Sequence, residues 1–202
     1  MKIVSVETLQ EKGPYSRSAD WIKCRAELHD AIRAVDWPVG SGRFTIRAES
    51  GKKRGEGSGV TPIKNGLMRR LKRLGWKLEV RIAIAVSKQP GKFDAAYPTA
   101  DGPVVVEWET GNISSSHRAM NKMAMGLMKE NIAAGVLIVP SRDLYRFLTD
   151  RVGNIDELVP YFDLWKAVPL KSGILEIVCV EHDATSTRVR RIPKGTDGRA
   201  QA

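Results

Sequence analysis

Residues 104–139 constrain the fold more than any other stretch of this chain. Residues 104–109 (VVVEWE) read as a β-strand, Met120, Met123, Ala124, Leu127 and Met128 recur at helical spacing behind a cap at Ser116, and 135–139 (GVLIV) is an unbroken apolar run of strand length. A strand-helix-strand unit of this size closes as a right-handed crossover with its two strands parallel. Further strands are expected at 44–47, 78–86, 93–97 and 174–180. Pro98 and Pro103 bracket a turn that folds 93–97 back onto 104–109. The fold class is therefore α/β.

Helices are expected over 19–36, where Trp21, Cys24, Leu28, Ile32 and Val35 form a stripe, and from a cap at Thr61 followed by Pro62. In the second helix Ile63, Leu67, Leu71 and Leu74 face inward. Ser141 is expected to start another, with Leu144, Phe147, Leu148 and Val152 inward, and Asn154 with Glu157 has capping-box spacing. Residues 50–59 (SGKKRGEGSG) combine four glycines with three cations and read as a mobile basic loop. From Asp183 onward no apolar stripe remains. The expectation is a single domain over 1–182 and a flexible tail over 183–202 that is disordered without a partner.

The 202 residues carry 33 Lys and Arg against 23 Asp and Glu, a formal charge of +10, which favours nucleic acid or an anionic membrane surface as partner. No stretch approaches the apolar length of a membrane span, and the interleaved opening MKIVSVETLQ reads as no signal peptide. Cys24 and Cys179 are too few for a disulfide framework and fit reduced core positions of a cytoplasmic protein. His29, His117 and His182 match no zinc-site spacing.

Against this positive background stand Glu79, Asp94, Glu107 and Glu109. Glu107 and Glu109 are two apart on one strand and leave the same face, and Asp94 lies on the strand expected to pair with it. An E-x-E pair on a strand is by itself most often a solvated face. Carboxylates gathered where the partner is a polyanion need a cation between them and the phosphate, which points to metal-assisted phosphodiester cleavage with Mg²⁺ as the fitting hard cation. Glu109, if it is not itself a metal ligand, is the better-placed general base.

The runs EWETGNISSSHRAMNKM (107–123) and LTDRVGNIDELVPYF (148–162) strongly resemble the BamHI family of type II restriction endonucleases. The resemblance extends to GVTPIKN (59–65), to Glu79 three residues after Trp76, and to IPKGTDGR (192–199). It implies a restriction-endonuclease-like core, a central mixed β-sheet flanked by helices on both sides, in a homodimer around double-stranded DNA. It further implies that Asp94, Glu107 and the Trp108 carbonyl bind metal, that Glu79 completes a second metal site, and that Mn²⁺ substitutes for Mg²⁺. Many related nucleases place Lys where this chain has Glu109.

Base reading would fall to Asn112, Ser114, Arg118, Asp150 and Arg151, consistent with Arg holding guanine bidentately and Asp accepting from cytosine. Asp150 beside Arg151 is, without the motif, a common surface pair. The implied site is GGATCC, cut after the first G to leave a four-base 5′ overhang. Gly195, Thr196, Asp197 and Gly198 would reach the minor groove and Lys64 a phosphate. The methionine stripe at 120–128 and the helix at 143–152 are candidate dimer faces, or intrachain core. A companion methyltransferase is implied for the host. Two rivals remain: a noncatalytic DNA-binding dimer on this scaffold, and a repair or mobile-element nuclease of the same superfamily.

Overall fold

The computed structural model describes residues 1–51, 56–84, 91–109, 111–149 and 152–194. The strand-helix-strand unit lies at its centre. The fifth strand, β5 (Val104–Trp108), leads into α3 (Ile113–Met128) and returns as β6 (Ala134–Pro140), parallel to β5 with Val104 opposite Ala134 and Trp108 opposite Ile138. On one side β7 (Gly173–Glu181) adds parallel to β6, and β1 (Lys2–Lys12) closes that edge antiparallel. On the other, β4 (Lys92–Tyr97) and β3 (Lys77–Arg81) follow antiparallel. The result is a six-stranded mixed sheet in the order β1-β7-β6-β5-β4-β3. The alternation in MKIVSVETLQ, which argued above only against a leader segment, is that edge strand.

Alternation along β5 divides the core into two layers. Val104, Val106 and Trp108 pack with Leu28 and Ile32 of α1 (Ala19–Arg33) and with Leu67 and Leu71 of α2 (Thr61–Arg73). Val105 packs on the opposite face with Met120, Met123 and Leu127 of α3 and Trp165 of α5 (Phe162–Lys166). Gly135 lets α3 approach β6 closely, since a Cβ there would lie 2.8 Å from the Met123 side chain. The sheet is thus covered by helices on both faces, as the resemblance implied.

Several local expectations are corrected. The first helix ends at Arg33 rather than at residue 36. Val60, not Thr61, is the N-cap of α2: its carbonyl accepts from the Ile63 and Lys64 N–H groups, so Thr61 is already helical. Leu74 is exposed at the helix end and Met68 takes a buried place instead. Asn112 caps α3, accepting from the Ser115 N–H, so the helix starts three residues before Ser116, which lies buried within it. Met128 is exposed whereas the rest of its stripe is buried.

The strand expected over 78–86 stops at Arg81, where its partner β4 begins at Lys92; Val86 lies outside the described residues. Ser141 does cap a helix, but α4 (Arg142–Tyr145) is four residues long. It ends because the following backbone turns to the 51–59 segment: the Ser58 N–H donates to the Phe147 carbonyl and the Thr149 N–H to the Ser58 carbonyl. Around 52–55, which lie outside the described residues, Gly51, Ser58 and Gly59 are buried, so the ends of the basic loop are fixed to the fold. The Asn154 and Glu157 capping box is present.

The division at residue 183 is also corrected. Strand β8 (Ala184–Ser186) pairs parallel with β2 (Thr45–Arg47), Asp183 accepts from the Phe44 N–H at 2.7 Å, and Ile192 is fully buried. Backbone pairing, the Asp183 carboxylate, the Trp37 and Arg47 side chains donating to the Arg190, Thr187 and Val189 carbonyls, and the buried Ile192 hold this segment, and none of these shows as a stripe in sequence. Residues 195–202 lie outside the described residues.

Cys24 and Cys179 are free and buried, and burial pushes their thiols up to about 11 and about 12. Among the described residues no helix is long and apolar enough to cross a membrane. His29 is partly buried on α1 with its Nε2 unpartnered, and burial, helped by Arg25 and Arg33, lowers it to about 4. The neutral imidazole is therefore the form the fold prefers. Above the unfolded value near 6.5 neither state is protonated; as pH falls from there toward 4 the unfolded chain takes up a proton that the folded chain refuses, and stability drops. The loss is on the order of 2 kcal/mol after allowance for partial solvent screening. Urea midpoints measured between pH 7 and pH 4 should fall less in His29→Gln than in the unsubstituted protein, and an equal fall would contradict the assignment.

Candidate active site

A cleft of about 780 Å³ opens where β5 ends and α3 begins, and its polar lining includes Lys64, Asp94, Glu107, Glu109, Arg118 and Lys122. Its acidic wall follows from strand pairing. Ala95 lies opposite Val106, which brings Asp94 level with Glu107, and the Trp108 N–H donates to Asp94 Oδ2 at 2.8 Å. Asp94 and Glu109 are each 8% exposed. Glu109 lies one residue beyond the strand; its N–H donates to the Ile138 carbonyl at 3.1 Å and its Oε1 accepts from the Gly111 N–H at 2.5 Å.

Each of the two central carboxylates holds a lysine from a different layer. Lys64 of α2 donates to Asp94 Oδ1 at 2.5 Å, and Lys122 of α3 donates to Glu107 Oε1. The Glu107 carboxyl is pushed up to about 7, first by burial and then by the Asp94 charge, with Lys122 and Lys64 acting in the opposite direction.

Glu79 does not join these three. It lies on β3 between Leu78, opposite Ala95, and Val80, opposite Phe93, so its backbone position is across from Asp94. Its φ of 54° departs from strand geometry, a conformation costing about 1–3 kcal/mol for a non-glycine residue, and its side chain, more than half exposed, pairs with Lys92 at 3.3 Å.

Among the described residues no three Asp, Glu, His or Cys side chains gather into a ready-made metal cluster. The donor set nonetheless fits a divalent ion at Asp94 and Glu107. Asp94 is buried and Glu107 partly so, both need a cation, the ammonium groups supply it, and the same hard oxygens suit Mg²⁺.

The family model described as "Restriction endonuclease BamHI" matches residues 1–199. The type II restriction enzyme OkrAI of Oceanobacter kriegii is 51% identical over 174 residues, 86% of this chain and 87% of its own length. The chain belongs to the BamHI restriction endonuclease family. The type II restriction enzyme BamHI of Bacillus amyloliquefaciens is 34% identical over 179 residues, covering 85% of this chain and 80% of its own. Type II restriction enzymes are site-specific deoxyribonucleases, and that is the class of this BamHI-family enzyme. At the level of fold, the restriction endonuclease BglII complexed with a DNA 16-mer aligns with a TM-score of 0.59 over 95% of this chain and 88% of that one, at 10% identity. Free BglII aligns at 0.53 over 91% and 81%, at 11% identity.

In this BamHI-family enzyme the helix that begins beside Glu109 carries the expected base readers. Asn112, Ser114 and Arg118 are all exposed on the first two turns of α3. Without DNA, Asn112 Oδ1 is engaged as the helix cap at 3.3 Å and Arg118 Nη2 donates to Ser115 Oγ at 3.0 Å. Asp150 and Arg151 lie outside the described residues, as do Gly195, Thr196, Asp197 and Gly198. Their described neighbours Thr149 and Val152 are buried, and the Gly153 N–H donates to the Gly111 carbonyl at 3.2 Å, which ties that segment to the start of α3.

Sequence reasoning missed Lys122 and read Lys64 only as a phosphate contact. Ser114, Arg118 and Lys122 are spaced by four along α3 and so share one helix face, a signal that could have brought Lys122 into the site.

Proposed function

We propose that the enzyme is a homodimer that cuts double-stranded DNA at GGATCC, after the first G on each strand, with Mg²⁺ held by Asp94, Glu107 and the Trp108 carbonyl. The reading is carried by one observation: the buried Asp94 and the partly buried Glu107 stand level across β4 and β5, with Glu109 beside them, at the start of a helix whose exposed residues are chemically fit to read bases. A divalent ion bound there supplies Lewis acidity at the phosphoryl oxygen and neutralises charge on the leaving oxygen. Mn²⁺ has the same preference for oxygen donors and is expected to substitute.

The remaining roles belong to the chain itself. The Trp108 N–H fixes the Asp94 carboxylate, leaving its other oxygen toward Lys64. Glu109, buried and oriented by the Gly111 N–H, takes the proton from the attacking water. Glu79 contributes to a second metal site only after parting from Lys92. Lys64, once released from Asp94, meets a phosphate.

Asn112, Ser114, Arg118, Asp150 and Arg151 read bases in the major groove, and Gly195, Thr196, Asp197 and Gly198 follow the minor groove. A palindrome is read equally on both halves only by a two-fold symmetric protein, which is the argument for the homodimer. The enzyme works in the cytoplasm beside a methyltransferase that protects host DNA from it.

Digestion of a plasmid with a single GGATCC, and of the same plasmid with that site mutated, tests this reading in Mg²⁺ and in EDTA. Linear product from the first plasmid in Mg²⁺ alone is expected. Binding without strand breaks, or equal cutting of both plasmids, would overturn it.

A further inference from the structure

Lys122 extends from the third turn of α3 into the cleft, and three groups fix its ammonium. It donates to Glu107 Oε1 and to the Lys92 carbonyl at 2.8 Å, and it stands 3.9 Å from the centre of the Phe93 ring. The side chains of Lys122 and Glu107 are only 21% and 14% exposed, so this is not a solvated surface pair of negligible strength. Lys64 makes the matching contact to Asp94 from the opposite layer, at 22% and 11% exposure. Two ammonium groups thus place two positive charges on the two carboxylates that a divalent ion would bind.

We infer that Lys122 is a displaceable counter-cation of the metal site: it holds the Glu107 carboxylate in the DNA-free enzyme and must yield that oxygen when a divalent ion binds, so it weakens metal binding in the absence of DNA. The inference rests on the reading that Asp94 and Glu107 hold the ion. An ammonium group and a metal ion contend for the same oxygen, and they repel each other if both stay close. The Lys92 carbonyl and the Phe93 face keep the displaced ammonium inside the cleft. The anion available to it there is a DNA phosphate, which couples DNA binding to tighter metal binding. Lys122 is therefore a positioning residue that acts through Glu107.

The test is calorimetric titration of Mg²⁺ alone into DNA-free protein, at alkaline pH so that protons do not compete for Glu107, with melting temperature in EDTA measured alongside. Lys122→Met should bind Mg²⁺ on the order of tenfold more tightly than the unsubstituted enzyme, as expected when one charge-assisted hydrogen bond no longer has to be broken. It should also melt at a lower temperature in EDTA, because Glu107, its side chain only 14% exposed, is left without its partner. Lys122→Gln, which keeps a donor without the charge, gives the same reading if the Met variant does not fold, and Lys122→Arg should restore weak binding.

A merely structural lysine would lower the melting temperature without tightening the metal. Equal or weaker Mg²⁺ binding by folded Lys122→Met and Lys122→Gln, with binding still lost in Glu107→Gln, would overturn the exchange and leave the metal reading standing. Mg²⁺ binding that survives Glu107→Gln unchanged, or that is absent from every variant, would overturn the metal reading and this inference with it.

Discussion

Asp94→Ala is expected to lower DNA cleavage by about a thousandfold or more while leaving duplex binding intact or tighter. The two effects have one cause. Asp94 is buried, lies level with Glu107 and receives the Trp108 N–H, and on the proposed reading it is the group through which β4 contributes to the cation site. On that reading, removing it deletes an oxygen ligand that the reaction needs. It also removes a negative charge from a cleft that must admit phosphate, and frees Lys64 from its ion pair. Filter binding or fluorescence anisotropy in EDTA, run beside plasmid cleavage in Mg²⁺, separates the two quantities. A folded Asp94→Ala protein that no longer binds DNA would show that Asp94 supports the DNA surface rather than the chemistry.

Arg118→Ala carries the second large expectation. A bidentate arginine contact to guanine discriminates by about 1–3 kcal/mol, and two-fold symmetry applies the loss in both half-sites. The ratio of cleavage at GGATCC to cleavage at sites with one changed base should therefore collapse by roughly 30-fold to roughly 20,000-fold if the two losses add. The fold should scarcely change, because Arg118 is exposed and its one described hydrogen bond is to Ser115 on the same helix. Competition cleavage of cognate and single-substitution duplexes measures the ratio. An unchanged ratio would remove Arg118 from base reading and leave the burden to Asp150, Arg151, Asn112 and Ser114.

The parts of the architecture that sequence made legible are those governed by periodicity. The apolar run of β6, the alternation of β5 and the methionine stripe of α3 each announce an element, and their order requires a parallel pair. That Asp94 would lie alongside Glu107 was legible from the turn that folds 93–97 back onto 104–109, while the register that sets them level comes from the fold.

What escaped depends on contacts between distant segments. Leu148 was expected in a helix, but Ser58, ninety positions away in the chain, claims the backbone on either side of it. Residues 183–194 looked unstructured because pairing of β8 with β2 is a backbone interaction that leaves no side-chain pattern. The lysines on Asp94 and Glu107 come from two helices on opposite sides of the sheet, and only the packed fold brings them together.

The exposed position of Glu79 has a similar origin. The motif places it near the site, and strand register does bring its backbone across from Asp94. The positive φ and the Lys92 pair that leave its side chain outside the cleft are properties of local geometry that no motif encodes.

The measurement that bears most directly on the central claim is sequencing of the ends produced when the purified enzyme digests unmethylated genomic DNA in Mg²⁺. The account predicts that the ends begin with 5′-GATCC on both strands, with four-base 5′ overhangs and none formed in EDTA. Defined ends of any other sequence, or ends without sequence preference, would contradict the assignment of this cleft and these base readers to GGATCC.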